Sequence, residues 1–89
     1  MTRSEIARKN LALMEIFTQE IIENENLARK IPKGAAVFIL PENDPELAAA
    51  NRELAQRAGR QGKKVVLVQM ELVPKTTYIP QLTVLKSTR

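Results

Sequence analysis

A chain of 89 residues suffices for one domain, and at that length a fold buries only about 60 to 65 % of the surface its unfolded form exposes. It carries no cysteine and no histidine, which excludes a disulfide framework, a thiolate metal site, a cysteine nucleophile and the Ser-His-Asp mechanism. Hydrophobic residues make up 44 % and aromatics only 3 %, so the core is built from Ile, Leu, Val and Ala, while a net charge of +4 permits attraction to nucleic acid.

The N-terminal stretch MTRSEIARKNLALMEIF mixes charges among its apolar residues, unlike the uncharged segment of a signal peptide. No apolar run approaches the roughly 20 residues that cross a bilayer. The sequence therefore predicts a cytoplasmic protein without membrane contact, folded as a single domain over 1–89. From Ser4 to Glu23 no Gly or Pro interrupts a run of good helix formers. At 100° per residue, Ile6, Leu13, Met14, Phe17 and Ile21 form one stripe, flanked by Leu11, Ile16 and Ile22. The apolar arc spans roughly 240°, against the ~100° that one-sided packing needs. Such a helix packs on two things, a sheet and another helix or subunit. Asn24 or Asn26 ends it and caps a short turn over 25–30, after which Pro32 and Gly34 break the helical pattern.

The run AAVFIL, Ala35 to Leu40, is apolar at every position and bounded by Gly34 and Pro41, the pattern of a strand covered on both faces. A second helix follows, with Asp44 as N-cap, Pro45 at its first position and Glu46 in its first turn. Arg57, Arg60, Lys63 and Lys64 gather at its far end; acids at the start and bases at the end match the helix dipole, each pairing worth about 0.3 to 1 kcal/mol. Gly62 or Gly59 closes this helix, and its predicted inward stripe is Leu47, Ala50, Leu54 and Ala58. KKVVLVQMELV reads as the second strand. Strand, helix and strand imply a parallel pair with a right-handed crossover. Gln81 to Leu85 supplies a third strand at an edge, because Pro80 has no N–H to donate. The predicted fold class is α/β: a small layered α-β-α-β(-β) domain with one right-handed βαβ unit and an amphipathic N-terminal helix. Its narrow sheet leaves edges that proteins cover or pair, which together with the wide helical arc predicts a homo-oligomer, in the simplest case a dimer.

The segment KIPKGAAVFILPENDPELAAANRELA, with Asn10, Leu11 and Phe17 of the leading helix, resembles a small family of uncharacterised prokaryotic domains. The shared pattern is IP-G, an apolar strand, LPE-DPEL, an Asn four residues after the Leu, and LA. Here Ile31, Pro32 and Gly34 supply its start, and Leu47, Asn51, Leu54 and Ala55 its end. The resemblance covers about two thirds of the chain plus the strand KVVLV. It implies the fold and no activity.

Three groups of residues are candidates for a site. Ligands in α/β sheets favour the C-terminal ends of parallel strands, where Glu42, Asp44 and Glu46 stand. With two prolines, three acids and no glycine the turn is a poor phosphate cradle. Three oxygen ligands suit Ca²⁺ or Mg²⁺, yet the EF-hand spacing is missing, and a helix cap with dipole support accounts for Asp44 and Glu46. The second group is the amide pair Asn10 and Asn51, each on an apolar face. An unpaired buried amide costs about 1 to 3 kcal/mol, so each bonds a neighbouring backbone or the other amide, recognises a ligand, or fixes the register of a subunit contact. The third is the basic cluster Arg52, Arg57, Arg60, Lys63 and Lys64, joined by Lys75, Lys86 and Arg89. It suits a nucleic acid by charge, but no aromatic is interleaved for base stacking and no helix-turn-helix appears. Nothing pairs a nucleophile with a base. The sequence thus predicts a non-enzymatic interaction domain that oligomerises and binds another protein, with no metal or cofactor. The alternative is a nucleic-acid-associated accessory protein using the basic end of the second helix.

Overall fold

Helix α1 spans Arg3–Glu23 and begins where Thr2 accepts the N–H of Glu5 at 3.1 Å. The structure, a computed structural model, describes residues 1–88. Asn24 serves two helices at once. Its N–H donates to the Glu20 carbonyl at 2.9 Å to close α1, and its side chain accepts the N–H groups of Asn26 and Leu27 to open α2, Glu25–Arg29. Strand β1, Ala36–Pro41, helix α3, Pro45–Arg60, and strand β2, Val65–Met70, complete the chain order. Gly34 and Gly62 precede the two strands with φ of +80° and +82°, a backbone conformation that a Cβ would strain.

The two strands are parallel, in register from Ala36 opposite Val65 to Pro41 opposite Met70. The Ala36 N–H donates to the Lys64 carbonyl at 2.8 Å and the Glu42 N–H to the Met70 carbonyl at 2.9 Å. Since backbone groups alternate sides along a strand, the even residues of β1 bond β2, while Val37, Ile39 and Pro41 direct theirs to the outer edge. By the same alternation Val65, Leu67 and Gln69 direct theirs to the outer edge of β2. Paired residues share a face of the sheet. Leu40 and Gln69 lie on the face beside α3, and Val68 and Met70 on the other, beside Ile16 and Phe17 of α1. The core is accordingly split between Leu40, Leu47, Ala55 and Ala58 on one side and Phe17 and Ile39 on the other. At about 25 cal/mol per Å² of apolar surface removed from water, two such thin layers give a fold of modest stability.

Most of this follows the residue pattern, with three differences. Pro41 is the last residue of β1; it is tolerated because its missing N–H would face the outer edge, not the ladder. The buried stripe of α3 is Leu47, Asn51, Ala55 and Ala58, with Leu54 exposed and Ala50 half-buried, because the small alanines let the helix lie close to the sheet and a strand carbonyl holds Asn51 inward. The third strand expected over Gln81 to Leu85 does not form. Residues 71–88 carry neither helix nor strand, and Tyr78, Ile79, Leu82, Val84 and Leu85 are all exposed.

Candidate functional site

The acidic turn sits at the C-terminal end of β1, as expected, but its three carboxylates do different local tasks. Asp44 accepts the Leu47 N–H at 3.1 Å through one oxygen and the Lys9 ammonium at 3.0 Å through the other. The Leu47 N–H and then Lys9 hold its carboxyl below its ordinary value of 3.8. Glu46 accepts the N-terminal ammonium at 3.3 Å, and Glu42 accepts the side-chain amide of Gln69. Among the described residues no three acidic side chains converge in a way that would hold a metal ion. The turn is chiefly a clip fastening the start of α3 to the N-terminal half of α1, since both Lys9 and Met1 belong to that end.

A lowered carboxyl value favours the ionised form in the fold, so the contribution of Asp44 is nearly complete above about pH 5 and is lost as the pH falls further. Asp44→Asn keeps the cap and removes the ion pair, whereas Asp44→Ala removes both. Melting temperatures at neutral pH are expected to fall in the order wild type, Asp44→Asn, Asp44→Ala. Between roughly pH 5 and pH 3 the Asp44→Asn variant is expected to lose less stability than the wild type.

The two asparagines come together. Asn10 donates to the Asn51 carbonyl oxygen at 2.9 Å and Asn51 donates back at 2.7 Å, while a second Asn51 amide hydrogen reaches the Ile39 backbone carbonyl at 2.7 Å. Asn51 is 2 % exposed, and both its hydrogens and its oxygen are engaged within the chain. The Ile39 carbonyl is one that no strand receives, because it faces the outer edge of β1. Asn51 therefore occupies one carbonyl of that edge, and Pro41 withholds a donor farther along it. α1 crosses alongside, with Asn10, Met14, Asn51 and Leu54 lining a hollow of about 160 Å³ against Val37 and Ile39.

A larger open groove of about 560 Å³ lies where α3 meets the strand ends, lined among others by Leu40, Glu42, Arg52, Gln56 and Gln69. Arg52 is thus parted from the rest of the basic cluster. Arg57 pairs with Glu53 at 2.9 Å and lines the hollow beside Ile6 on the α1 side; five residues apart, the two arginines stand about 140° around the helix. Arg60, Lys63 and Lys64 are exposed near the end of α3, Lys75 and Lys86 are exposed in the segment beyond β2, and Arg89 lies outside the described residues. Lys9, Gln69 and the Ile39 carbonyl are the partners that sequence reading did not supply. Lys9 and Asp44 are far apart in the chain, and no spacing rule links them.

The sequence model of the Family of unknown function (DUF5647) matches residues 5–79. The chain belongs to that family. The DUF5647 match takes in both helices of the amide pair, both strands and the acidic turn, and stops at Ile79, before the segment expected as a third strand. No curated protein and no solved structure matches the chain. No helix among the described residues is long and apolar enough to cross a membrane.

Proposed function

We propose that this DUF5647 domain works by contact with protein chains: it oligomerises, binds a protein partner, and catalyses no reaction. What supports this reading is the amount of apolar surface left uncovered. On α1, Leu11, Met14, Ile16 and Ile22 are exposed, so the wide apolar arc is only partly used, and Leu72, Val73, Tyr78, Ile79, Leu82, Val84 and Leu85 are exposed beyond β2. Large exposed apolar surface marks an interaction site more often than isolated exposed residues do. The Asp44 carboxylate is meanwhile engaged by Lys9 and the Leu47 N–H, and the two amides by each other.

Light scattering on a sizing column at two salt concentrations tests it. The expected mass is a multiple of the 10.0 kDa chain at both, since apolar contacts resist screening. A 10.0 kDa species that co-purifies with nucleic acid at low salt and releases it at high salt would contradict the proposal and favour the basic end of α3 as the working surface.

A further inference from the structure

We infer that the C-terminal segment Gln81–Leu85 of one chain adds as a parallel strand to the outer edge of β2 in a second copy; this rests on the self-association proposed above and names its surface. The two edges of the sheet are unequal. Neither edge is bonded by a further strand among the described residues, but at the β1 edge Asn51 takes the Ile39 carbonyl and Pro41 lacks a donor, whereas the outward groups of Val65, Leu67 and Gln69 have no such interruption. An open edge of this kind is a template for strand addition. The segment that fits it is in the same sequence: QLTVL is β-favouring, and Leu82 and Leu85 are 92 % and 94 % exposed.

That segment stands away from its own domain. The radius of gyration is 19.8 Å and the longest extent 74 Å, against about 12 Å for the radius of a compact chain of this length. Charge explains why a second copy is the better recipient. The stretch between Met70 and Gln81 is short and has no helix, so a return onto its own β2 would run antiparallel and set Lys86 against Lys63 and Lys64. A parallel strand from another copy sets Lys86 against Glu71 instead. In that register Leu82 lies beside Leu67, which is 45 % exposed on the α3 face. Leu85 lies beside Met70, over a trough of about 380 Å³ lined by Ile16, Phe17, Leu27, Val68 and Leu72. Gln81, Thr83 and Leu85 then supply the N–H groups to the edge, and Pro80 faces away, where its missing donor costs nothing. The ten residues from Glu71 to Pro80 reach up to about 33 Å, longer than β2 itself, so each copy can donate its segment to the other in a two-fold arrangement. The DUF5647 match ends at Ile79, before this segment.

The test is the mass of the full chain and of Thr83→Pro, which removes one edge donor at a position that is exposed within the chain and so leaves the domain folded. The wild type is expected at twice 10.0 kDa and Thr83→Pro at 10.0 kDa, with unchanged helical circular dichroism. Lys86→Glu is expected to weaken the dimer at least several-fold, and Glu71→Lys in the same chain to restore it. A wild-type monomer at all concentrations overturns both this inference and the self-association reading. A dimer that persists in Thr83→Pro and in Leu82→Asp overturns this inference alone, leaving association through another surface such as α1.

Discussion

Phe17→Ala is expected to destabilise the fold by about 3 to 5 kcal/mol, the range for removing a buried aromatic ring from a core. Phe17 is 7 % exposed and is the only buried residue of α1. It stands beside Val68 and Met70, on the face of the sheet that α3 does not cover. Ile16, Leu27, Val68 and Met70 line the same trough, and none of them has a ring with which to fill the cavity. Domains of this size are stable by about 5 to 15 kcal/mol in total, and each 1 kcal/mol moves the melting temperature by about 4 to 8 °C. A fall of more than about 10 °C is expected in a thermal melt. A change within 2 or 3 °C would mean that α1 is not held on the sheet by this side chain.

The second large effect is expected at Asn51. Asn51→Leu has nearly the right volume, and on hydrophobicity alone it would stabilise a site this buried. The geometry predicts the reverse, because the leucine leaves the Ile39 carbonyl and the Asn10 amide without partners. A buried group left unpaired costs about 1 to 3 kcal/mol, in full for the Ile39 carbonyl and less for the half-buried Asn10 amide, so a loss of roughly 1 to 3 kcal/mol is expected after the gain in apolar burial is set against it. Chemical denaturation measures it directly. The double variant Asn10→Leu/Asn51→Leu is expected to recover part of the loss, since one of the two orphaned groups is gone and the Ile39 carbonyl is the remaining one. Equal or greater stability of Asn51→Leu would show that the carbonyl finds water or another donor.

The order of elements was legible because each was bounded by residues with a strong local effect. Asn24, Gly34, Asp44, Pro45 and Gly62 punctuate the chain in the sequence as they do in the fold. The cap role of Asp44 and the inward amide of Asn51 were readable for the same reason. The stripe of α3 was misread at Ala50 and Leu54 because hydrophobicity ranks Leu54 above Ala55, whereas close approach to a sheet favours the smaller side chain. Lys9 on Asp44, Met1 on Glu46 and Asn51 on Ile39 were not readable, since each depends on how α1 lies against α3 and β1 and no local spacing encodes that. The misplaced third strand is instructive in another way. QLTVL has the composition of a strand, but a strand also needs an edge to pair with, and composition does not say which copy of the chain provides it.

That question bears on the central claim, that the β1 edge is interrupted within the chain by Asn51 and Pro41 and the β2 edge is completed by a second copy. Residue-resolved amide hydrogen exchange as a function of protein concentration tests it most directly. The N–H groups of Val66 and Val68 face β1 and are expected to exchange slowly at every concentration, while those of Leu67 and Gln69 are expected to be slow in concentrated solution and to become fast on dilution. Exchange at Leu67 and Gln69 that is fast throughout, or slow throughout without any dependence on concentration, would contradict a β2 edge filled by another chain.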